Sequence, residues 1–200
     1  QAGFSEDPGG VKGNTKNGHI IRGLADDPDK LYYRNVFLDT AQLAGIVMDR
    51  EDIDEKRVGV FGYSQGGALT IVCSALEPRI KKAAPVYPFL SDYKRVTQLD
   101  IEASAYAELK DYFRKFDPLH IRETEIFNKL SYIDIQNLAD RVEAEVLMTT
   151  AISDPICPPS TQFAVFNKLK SKKDMIIYPD YGHEDLPGIR DRHYQFFNDL

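Results

Sequence analysis

The 200-residue sequence has few cysteines, no excess of basic residues and no long apolar run. Its two cysteines, Cys73 and Cys157, are far apart, which excludes a disulfide framework and a metal-binding cysteine spacing. A formal net charge of −6 and a pI near 5.3 leave no basic surface for nucleic acid or anionic lipid. No apolar stretch approaches membrane-spanning length. We therefore expect a reduced, soluble, cytoplasmic protein that binds neither nucleic acid nor membrane.

Sequence signatures of metal and nucleotide cofactors are also missing. There is no H-E-x-x-H pattern, no cysteine cluster and no glycine-rich phosphate loop. His183 is followed by Glu184 but lacks a second histidine at a zinc-binding spacing. We therefore expect chemistry that uses neither a cofactor nor a metal.

Apolar strand runs alternate with amphipathic helices along the chain. A hydrophobic content of 42% is enough for one core, and 200 residues are too few for two sizeable domains, so we expect one domain. Strands are predicted at residues 58–61, 82–87, 146–151 and 175–178. Helices are predicted at residues 29–50, from 65 onward, at 159–169 and around 194–197. This alternation predicts an α/β fold with a doubly wound, mostly parallel sheet.

Two stretches interrupt this alternation. Residues 1–29 are glycine-rich and polar, which predicts a long surface loop. Residues 89–144 contain two or three predicted helices, one of them from about Ile101 to Phe116 with Asp100 as its cap. We interpret this second stretch as a helical insertion beside the functional site, or as an oligomer contact.

The segment VGVFGYSQGG, residues 58–67, carries the strongest functional signal. It places Ser64 in a G-x-S-x-G pattern between a predicted strand and a predicted helix. So sharp a turn strains the backbone, and Gly62 and Gly66 keep room around the serine. The turn would expose the Ser64 hydroxyl, and the backbone N–H of Gln65 would face an oxyanion that forms there. The pattern indicates a nucleophile elbow; the alternative is a glycine-rich turn with an ordinary surface serine.

A nucleophilic serine needs a histidine base and a carboxylate that orients the base. On this fold the chain order is serine, then aspartate or glutamate, then histidine, on loops that follow strands. His183 follows the last predicted strand. For the carboxylate we prefer Asp154, which follows the third strand, over Asp180, which we interpret as a turn former. The other histidines lie in the first loop, the insertion and the last helix: His19, His120 and His193.

Seven segments occur in a fixed order along the chain: GFSEDPGG, DKLYYRNVFLD, GYSQGGALT, YPFLSDY, LSYIDIQNLADRV, SDPICPPST and YGHE. Together they resemble the acetyl xylan esterase and cephalosporin C deacetylase family, carbohydrate esterases of the α/β-hydrolase superfamily. The resemblance implies a serine esterase that deacetylates xylo-oligosaccharides or cephalosporin C through an acyl-enzyme. It also implies a triad of Ser64, Asp154 and His183, and a hexameric ring for full-length members.

Two features depart from the family pattern. The family motif is usually G-G-S-Q-G-G, and Tyr63 here replaces a glycine, where it would narrow the entrance or alter the acyl preference. Gln1 corresponds to the end of the family's R-G-Q motif, which implies a partial α/β-hydrolase domain without its first strands and second oxyanion donor. Such a chain would be poorly active. Rival hypotheses are a peptidase or dienelactone hydrolase of the same fold, and an inactive fragment that serves assembly.

Overall fold

The computed structural model describes residues 19–100 and 105–200, and a parallel sheet forms the centre of this described part. The strands are β1 (Gly59–Tyr63), β2 (Lys82–Val86), β3 (Glu145–Ala151) and β4 (Lys173–Tyr178). They lie in the order β1-β2-β3-β4, and each neighbouring pair is parallel. The predicted α/β class and parallel sheet are confirmed.

Helices cover both faces of this sheet. They are α1 (Tyr32–Met48), α2 (Gln65–Leu76), α3 (Tyr93–Gln98), α4 (Ala107–Phe116), α5 (Glu123–Leu130), α6 (Pro159–Lys168) and α7 (Ile189–Phe197). Helix α2 packs on β1 and β2 and against α1. Helix α7 lies on the opposite face, where the ring of His193 contacts Phe61. This arrangement is the doubly wound architecture that the alternating pattern predicts.

The strands differ in their burial and in how many neighbouring strands they have among the described residues. All five residues of β2 are buried, as expected for a parallel strand with neighbours on both sides. In the described part of the chain, β1 pairs with β2 alone, and its Phe61 is 60% exposed. None of the described helices is both long enough and apolar enough to cross a bilayer.

The predicted helix at 29–50 is interrupted near its start. Residues Pro28–Lys30 form a separate 3-10 turn, and α1 begins at Tyr32. The break occurs because Leu31 has an extended ψ of 128°, which a continuous helix does not allow.

The helix predicted from Ile101 is also shorter than expected, because α4 begins at Ala107. Residues 101–104 lie outside the described part. Asp100, the predicted cap, instead follows α3 with a left-handed φ of 52°, a conformation that aspartate tolerates. The insertion itself is confirmed, since α3, α4 and α5 all lie between β2 and β3.

Most of the loop predicted at residues 1–29 falls outside the described part. Within residues 19–27 the chain forms turns, but Ile20 and Leu24 are buried in the core, with 0% and 2% exposed surface. This portion is a loop, as expected, but Ile20 and Leu24 anchor it to the core, so it does not lie wholly on the surface. Its two apolar side chains pack into the same core as α1.

Candidate active site

Ser64 lies at the turn between β1 and α2 in a strained backbone conformation. Its φ of 53° and ψ of −115° are rare for a residue with a side chain, and such strain costs about 1–3 kcal/mol. Three backbone hydrogen bonds hold the turn in place. The N–H of Ser64 donates to the carbonyl of Val86 at 3.0 Å, and its carbonyl accepts from the N–H groups of Ala68 and Phe89 at 2.9 and 3.1 Å.

The glycines around Ser64 do not play equivalent roles. A Cβ on Gly62 would lie 2.4 Å from the backbone carbonyl of Gly66, and a Cβ on Gly67 would lie 2.6 Å from the carbonyl oxygen of Val86. By contrast, a Cβ on Gly66 would meet nothing within 4 Å. The close approach of two backbone segments therefore requires glycine at 62 and 67, whereas position 66 has open space.

The side chain of Ser64 is not used to cap the helix that follows it. Serine is a favoured N-cap residue, yet the Ser64 hydroxyl makes no cap hydrogen bond to α2. The Gln65 N–H belongs to the first turn of α2, whose N–H groups have no acceptor within the helix. The side chain of Gln65 donates instead from Nε2 to the Tyr33 hydroxyl, at 3.4 Å.

Asp154 and His183 form a buried pair. Nδ1 of His183 lies 2.8 Å from Oδ2 of Asp154, whose side chain is fully buried. The other carboxylate oxygen, Oδ1, accepts the backbone N–H groups of Ile156 and Cys157, both at 2.8 Å. Because a carboxylate only accepts hydrogen bonds, Nδ1 carries the proton and Nε2 is left free to take one.

The sheet topology explains why these two residues meet. Asp154 follows β3 and His183 follows β4, and the carboxyl ends of these neighbouring parallel strands lie at the same edge. The two loops are joined directly, since the N–H of Ser153 donates to the carbonyl of Tyr181 at 3.0 Å. Asp180 is exposed, and no hydrogen bond among the described residues joins it to His183. Of the two carboxylates considered from the sequence, Asp154 is the one that contacts the histidine; its catalytic role stays a prediction.

Ser64 and His183 are not hydrogen-bonded to each other in the described structure. The Oγ of Ser64 lies instead 3.9 Å from the Sγ of Cys157. Burial raises the pKa of the Cys157 thiol, which keeps this group uncharged at neutral pH. Catalytic hydrogen bonds often tighten only when substrate is bound, so this geometry is compatible with a serine nucleophile.

Cys157 is a site residue that the sequence analysis missed. Asp154, Cys157 and His183 offer oxygen, sulfur and nitrogen atoms that all lie within 4.8 Å of one another. Such a donor set suits zinc in principle. The Asp154 carboxylate, however, already accepts three hydrogen bonds from the protein. The expectation of no metal stays a prediction.

Tyr87 is a second residue that the sequence analysis missed. Its ring centroid lies 4.5 Å from that of His183, with an angle of 47° between the planes. Its hydroxyl donates to the carbonyl of Glu184 at 3.1 Å. Burial raises the pKa of Tyr87 to about 12, so this hydroxyl remains a donor at neutral pH. The only sequence signal was its place at the start of YPFLSDY, as the last residue of a predicted strand.

A cavity of about 550 Å³ lies next to Tyr87 on the α7 side of the sheet. It is lined by Phe61, Tyr63, Tyr87, Asp185, Arg190 and His193. The ring of Tyr63 packs against Tyr87 and His193, with centroid distances of 5.9 and 6.1 Å. Among the described residues, the ring contacts of Tyr63 are with these two neighbours. That Tyr63 narrows the entrance or alters the acyl preference stays a prediction.

Comparison with known proteins identifies the family. The model of the acetyl xylan esterase family (AXE1) matches residues 1–200. The chain belongs to the acetyl xylan esterase family. The resemblance to acetyl xylan esterases that the seven sequence segments indicate is therefore confirmed.

Three relatives show how close this match is. Acetyl esterase Axe7A of Xylanibacter ruminicola is 33% identical over 168 residues, which are 84% of this chain and 36% of that protein. The crystal structure of acetyl xylan esterase 1 from Thermoanaerobacterium sp. JW/SL YS485 is 58% identical with a TM-score of 0.94, over all of this chain and 63% of that one. The acetyl xylan esterase structure from Paenibacillus sp. R4 is 36% identical with a TM-score of 0.87, over all of this chain and 60% of that one. The chain thus spans less than two thirds of each relative's length.

Proposed function

We propose that this protein is a serine esterase that hydrolyses acetyl esters of xylan-type carbohydrates through an acyl-enzyme on Ser64. The 2.8 Å contact between His183 and the buried Asp154 is the main support, because it gives the base a fixed tautomer. The strained turn at Ser64, whose hydroxyl caps no helix, adds to it. Membership of the acetyl xylan esterase family supports the class of ester.

In the proposed reaction, Ser64 Oγ attacks the acetyl carbonyl carbon while Nε2 of His183 takes the hydroxyl proton. Asp154 keeps its hydrogen bond to Nδ1 and stabilises the imidazolium. The backbone N–H of Gln65 donates to the oxyanion. His183 then protonates the leaving sugar oxygen, and the acetyl group remains on Ser64 until a water, deprotonated by His183, releases acetate. To begin, the Ser64 hydroxyl must turn from Cys157 towards His183.

The acyl-enzyme predicts a burst of product from p-nitrophenyl acetate. Ser64→Ala should abolish this burst and the turnover that follows it. If Ser64→Ala keeps normal turnover of an acetyl ester while His183→Ala does not, Ser64 is not the nucleophile.

Which acetyl esters the site accepts is a separate question from the identity of the nucleophile. We propose acetylated xylo-oligosaccharides, with cephalosporin C as a second acetyl ester that the same site would accept. Turnover should be highest for p-nitrophenyl acetate and fall as the acyl chain lengthens. Preference for long acyl chains would contradict an acetyl esterase, and cleavage of peptide amides in preference to esters would favour the peptidase alternative.

We further propose that residues 1–200 alone are poorly active. The outer edge of β1 has no strand partner among the described residues, and an open edge invites pairing with another chain. The chain spans less than two thirds of each compared relative, the resemblance implies a second oxyanion donor from outside residues 1–200, and loss of one such donor costs about 10² to 10³ in turnover. The test is an acetyl-ester assay with light scattering, on this chain and on one extended at its amino end. Activity within about tenfold of the extended protein, in a monomeric chain, would contradict this proposal.

We also propose that the full-length protein forms a hexamer and is cytoplasmic. The insertion carries exposed apolar side chains at Phe116, Leu119 and Ile121, with 67%, 78% and 80% of their surface exposed. Exposed apolar side chains of this kind suit a subunit contact in the hexameric ring that the family resemblance implies. Both cysteines are free, as expected for a cytoplasmic protein. Light scattering of the extended protein tests the hexamer, and a monomer would contradict it.

A further inference from the structure

Four aromatic rings form a continuous column from α7 to the candidate base. The rings of His193 and Tyr63 lie 6.1 Å apart, those of Tyr63 and Tyr87 lie 5.9 Å apart, and those of Tyr87 and His183 lie 4.5 Å apart. We call these four residues the aromatic column. It links the residue before the candidate nucleophile to the candidate base without passing through Ser64.

The parallel register of the sheet creates this column. Tyr63 ends β1 and is paired with Val86, the last residue of β2, so Tyr87 follows directly beside it. Tyr87 has a positive φ of 32°, which is uncommon for a bulky residue, and its N–H donates to the carbonyl of Thr149 at 2.8 Å. A strained, tightly bonded backbone at a site edge is a reason to look for a function in the side chain it orients.

Tyr87 holds the candidate base in two places. Its ring lies against the imidazole of His183, and its hydroxyl bonds the carbonyl of the next residue, Glu184. The Glu184 side chain in turn accepts the N–H of Gly182 at 3.0 Å, which ties the residues on both sides of the histidine. These contacts restrain both the ring and the backbone of His183, in addition to its hydrogen bond with Asp154.

We propose that Tyr87 is a positioning residue for His183, and that Tyr63 supports Tyr87 from behind. The proposal rests on the proposed function of His183 as the base. The Tyr87 ring keeps the imidazole aligned and stabilises the imidazolium that forms during acylation, because an aromatic face attracts a nearby cation. The Tyr87 hydroxyl fixes the loop that carries the histidine.

The cavity beside the column explains the role of Tyr63. The 550 Å³ space borders Tyr87 and Tyr63, so the Tyr87 ring is not fixed on that side by a solid core. Tyr63 is the aromatic neighbour that limits its movement there. A glycine at position 63 would not provide this support.

Substitutions at Tyr87 separate its two contacts. Tyr87→Phe keeps the ring and removes one neutral hydrogen bond, so kcat should fall about threefold to tenfold with little change in KM. Tyr87→Leu also removes the ring, so kcat should fall further. The acid-side midpoint of its kcat/KM pH profile should move to lower pH, because the imidazolium loses a stabilising partner. Apart from Tyr87 itself, the titratable groups beside His183 are unchanged in both variants: Asp154 at 2.8 Å, Cys157 within 4.8 Å, and the neighbouring residue Glu184.

Tyr178→Phe is the matched control. The Tyr178 hydroxyl also donates to a backbone carbonyl, that of Pro187 at 2.7 Å, and its ring packs against the same cluster as Tyr63 and Tyr87. This control should leave both kcat and the pH midpoint in place. Tyr63→Ala should lower kcat and move the pH midpoint in the same direction as Tyr87→Leu, but by a smaller amount.

All variants are compared in the extended, active protein. The proposal is overturned if Tyr87→Phe matches Tyr178→Phe in kcat and Tyr87→Leu leaves the pH midpoint unmoved. If Tyr87→Leu does not fold, the Tyr63→Ala pH profile takes its place in that comparison. Failure of the proposed function looks different, because Ser64→Ala or His183→Ala would then retain normal turnover. Loss of activity in those two, with none in the Tyr87 and Tyr63 variants, overturns the positioning role alone.

Discussion

The loops that carry Asp154 and His183 differ from the turn that carries Ser64 in how firmly hydrogen bonds among the described residues hold their side chains. On the base side, both oxygens of Asp154 are bonded and His183 has a fixed partner at 2.8 Å. On the side of the candidate nucleophile, the one hydrogen-bond contact of the Ser64 hydroxyl with the described residues is a weak one, to the Cys157 thiol at 3.9 Å. The candidate base is therefore organised before substrate arrives, whereas the candidate nucleophile is positioned by backbone strain and must reorient its hydroxyl to react.

Removing the base should have the largest effect. In a serine protease, loss of the catalytic histidine costs about 10⁶ in turnover. We expect His183→Ala to lower kcat for an acetyl ester by about 10⁴ or more, with the protein still folded by circular dichroism. A loss below about tenfold would mean that the organised side of the site is not the catalytic one.

Removing the orienting carboxylate should cost less. Asparagine at 154 would hold the wrong tautomer of His183, a change that costs about 10⁴ in a serine protease. We expect Asp154→Asn to lower kcat by about 10² or more, and Asp180→Asn, the matched control on the neighbouring loop, to have a much smaller effect. The reverse ranking would assign the orienting role to Asp180.

The strained turn predicts a stability difference between two glycines. Gly62→Ala places a Cβ 2.4 Å from the Gly66 carbonyl, and such overpacking typically costs about 1–3 kcal/mol. Gly66→Ala has open space in the first turn of α2, where alanine favours the helix by up to about 1 kcal/mol. Urea unfolding of both variants checks the pair. Equal destabilisation would show that the close approach at Gly62 does not maintain the turn.

The thiol beside Ser64 should matter least. If Cys157 only contacts the resting hydroxyl, Cys157→Ala should keep kcat within about tenfold of the parent, the scale of one weak hydrogen bond. Steady-state kinetics on p-nitrophenyl acetate measure this. A collapse of activity in Cys157→Ala, with Ser64→Ala still active, would make the cysteine the nucleophile.

The sequence predicted the parts of this site that depend on local pattern and chain order. The strand, the G-x-S-x-G turn and the helix around Ser64 are contiguous, and the fold's order of serine, acid and histidine pointed to Asp154 and His183. Cys157 and Tyr87 were missed because their roles arise from distant segments. Cys157 lies 93 residues from the serine it contacts, and Tyr87 reaches His183 only through the register of β2, β3 and β4.

The fold shows the same division between local and tertiary causes. The alternation of strands and helices was readable because each element has its own periodicity. The break at Leu31 depends on a single backbone angle that periodicity does not contain. The burial of Ile20 and Leu24 depends on packing against the core, which the polar, glycine-rich composition around them conceals.

Covalent labelling tests the central claim most directly. The active protein is incubated with a serine-directed organophosphonate, digested, and the modified peptide is identified by mass spectrometry. The account predicts one adduct, on Ser64, that is absent from Ser64→Ala and forms much more slowly in His183→Ala. An adduct on Cys157, or no adduct in a protein that hydrolyses acetyl esters, would contradict it.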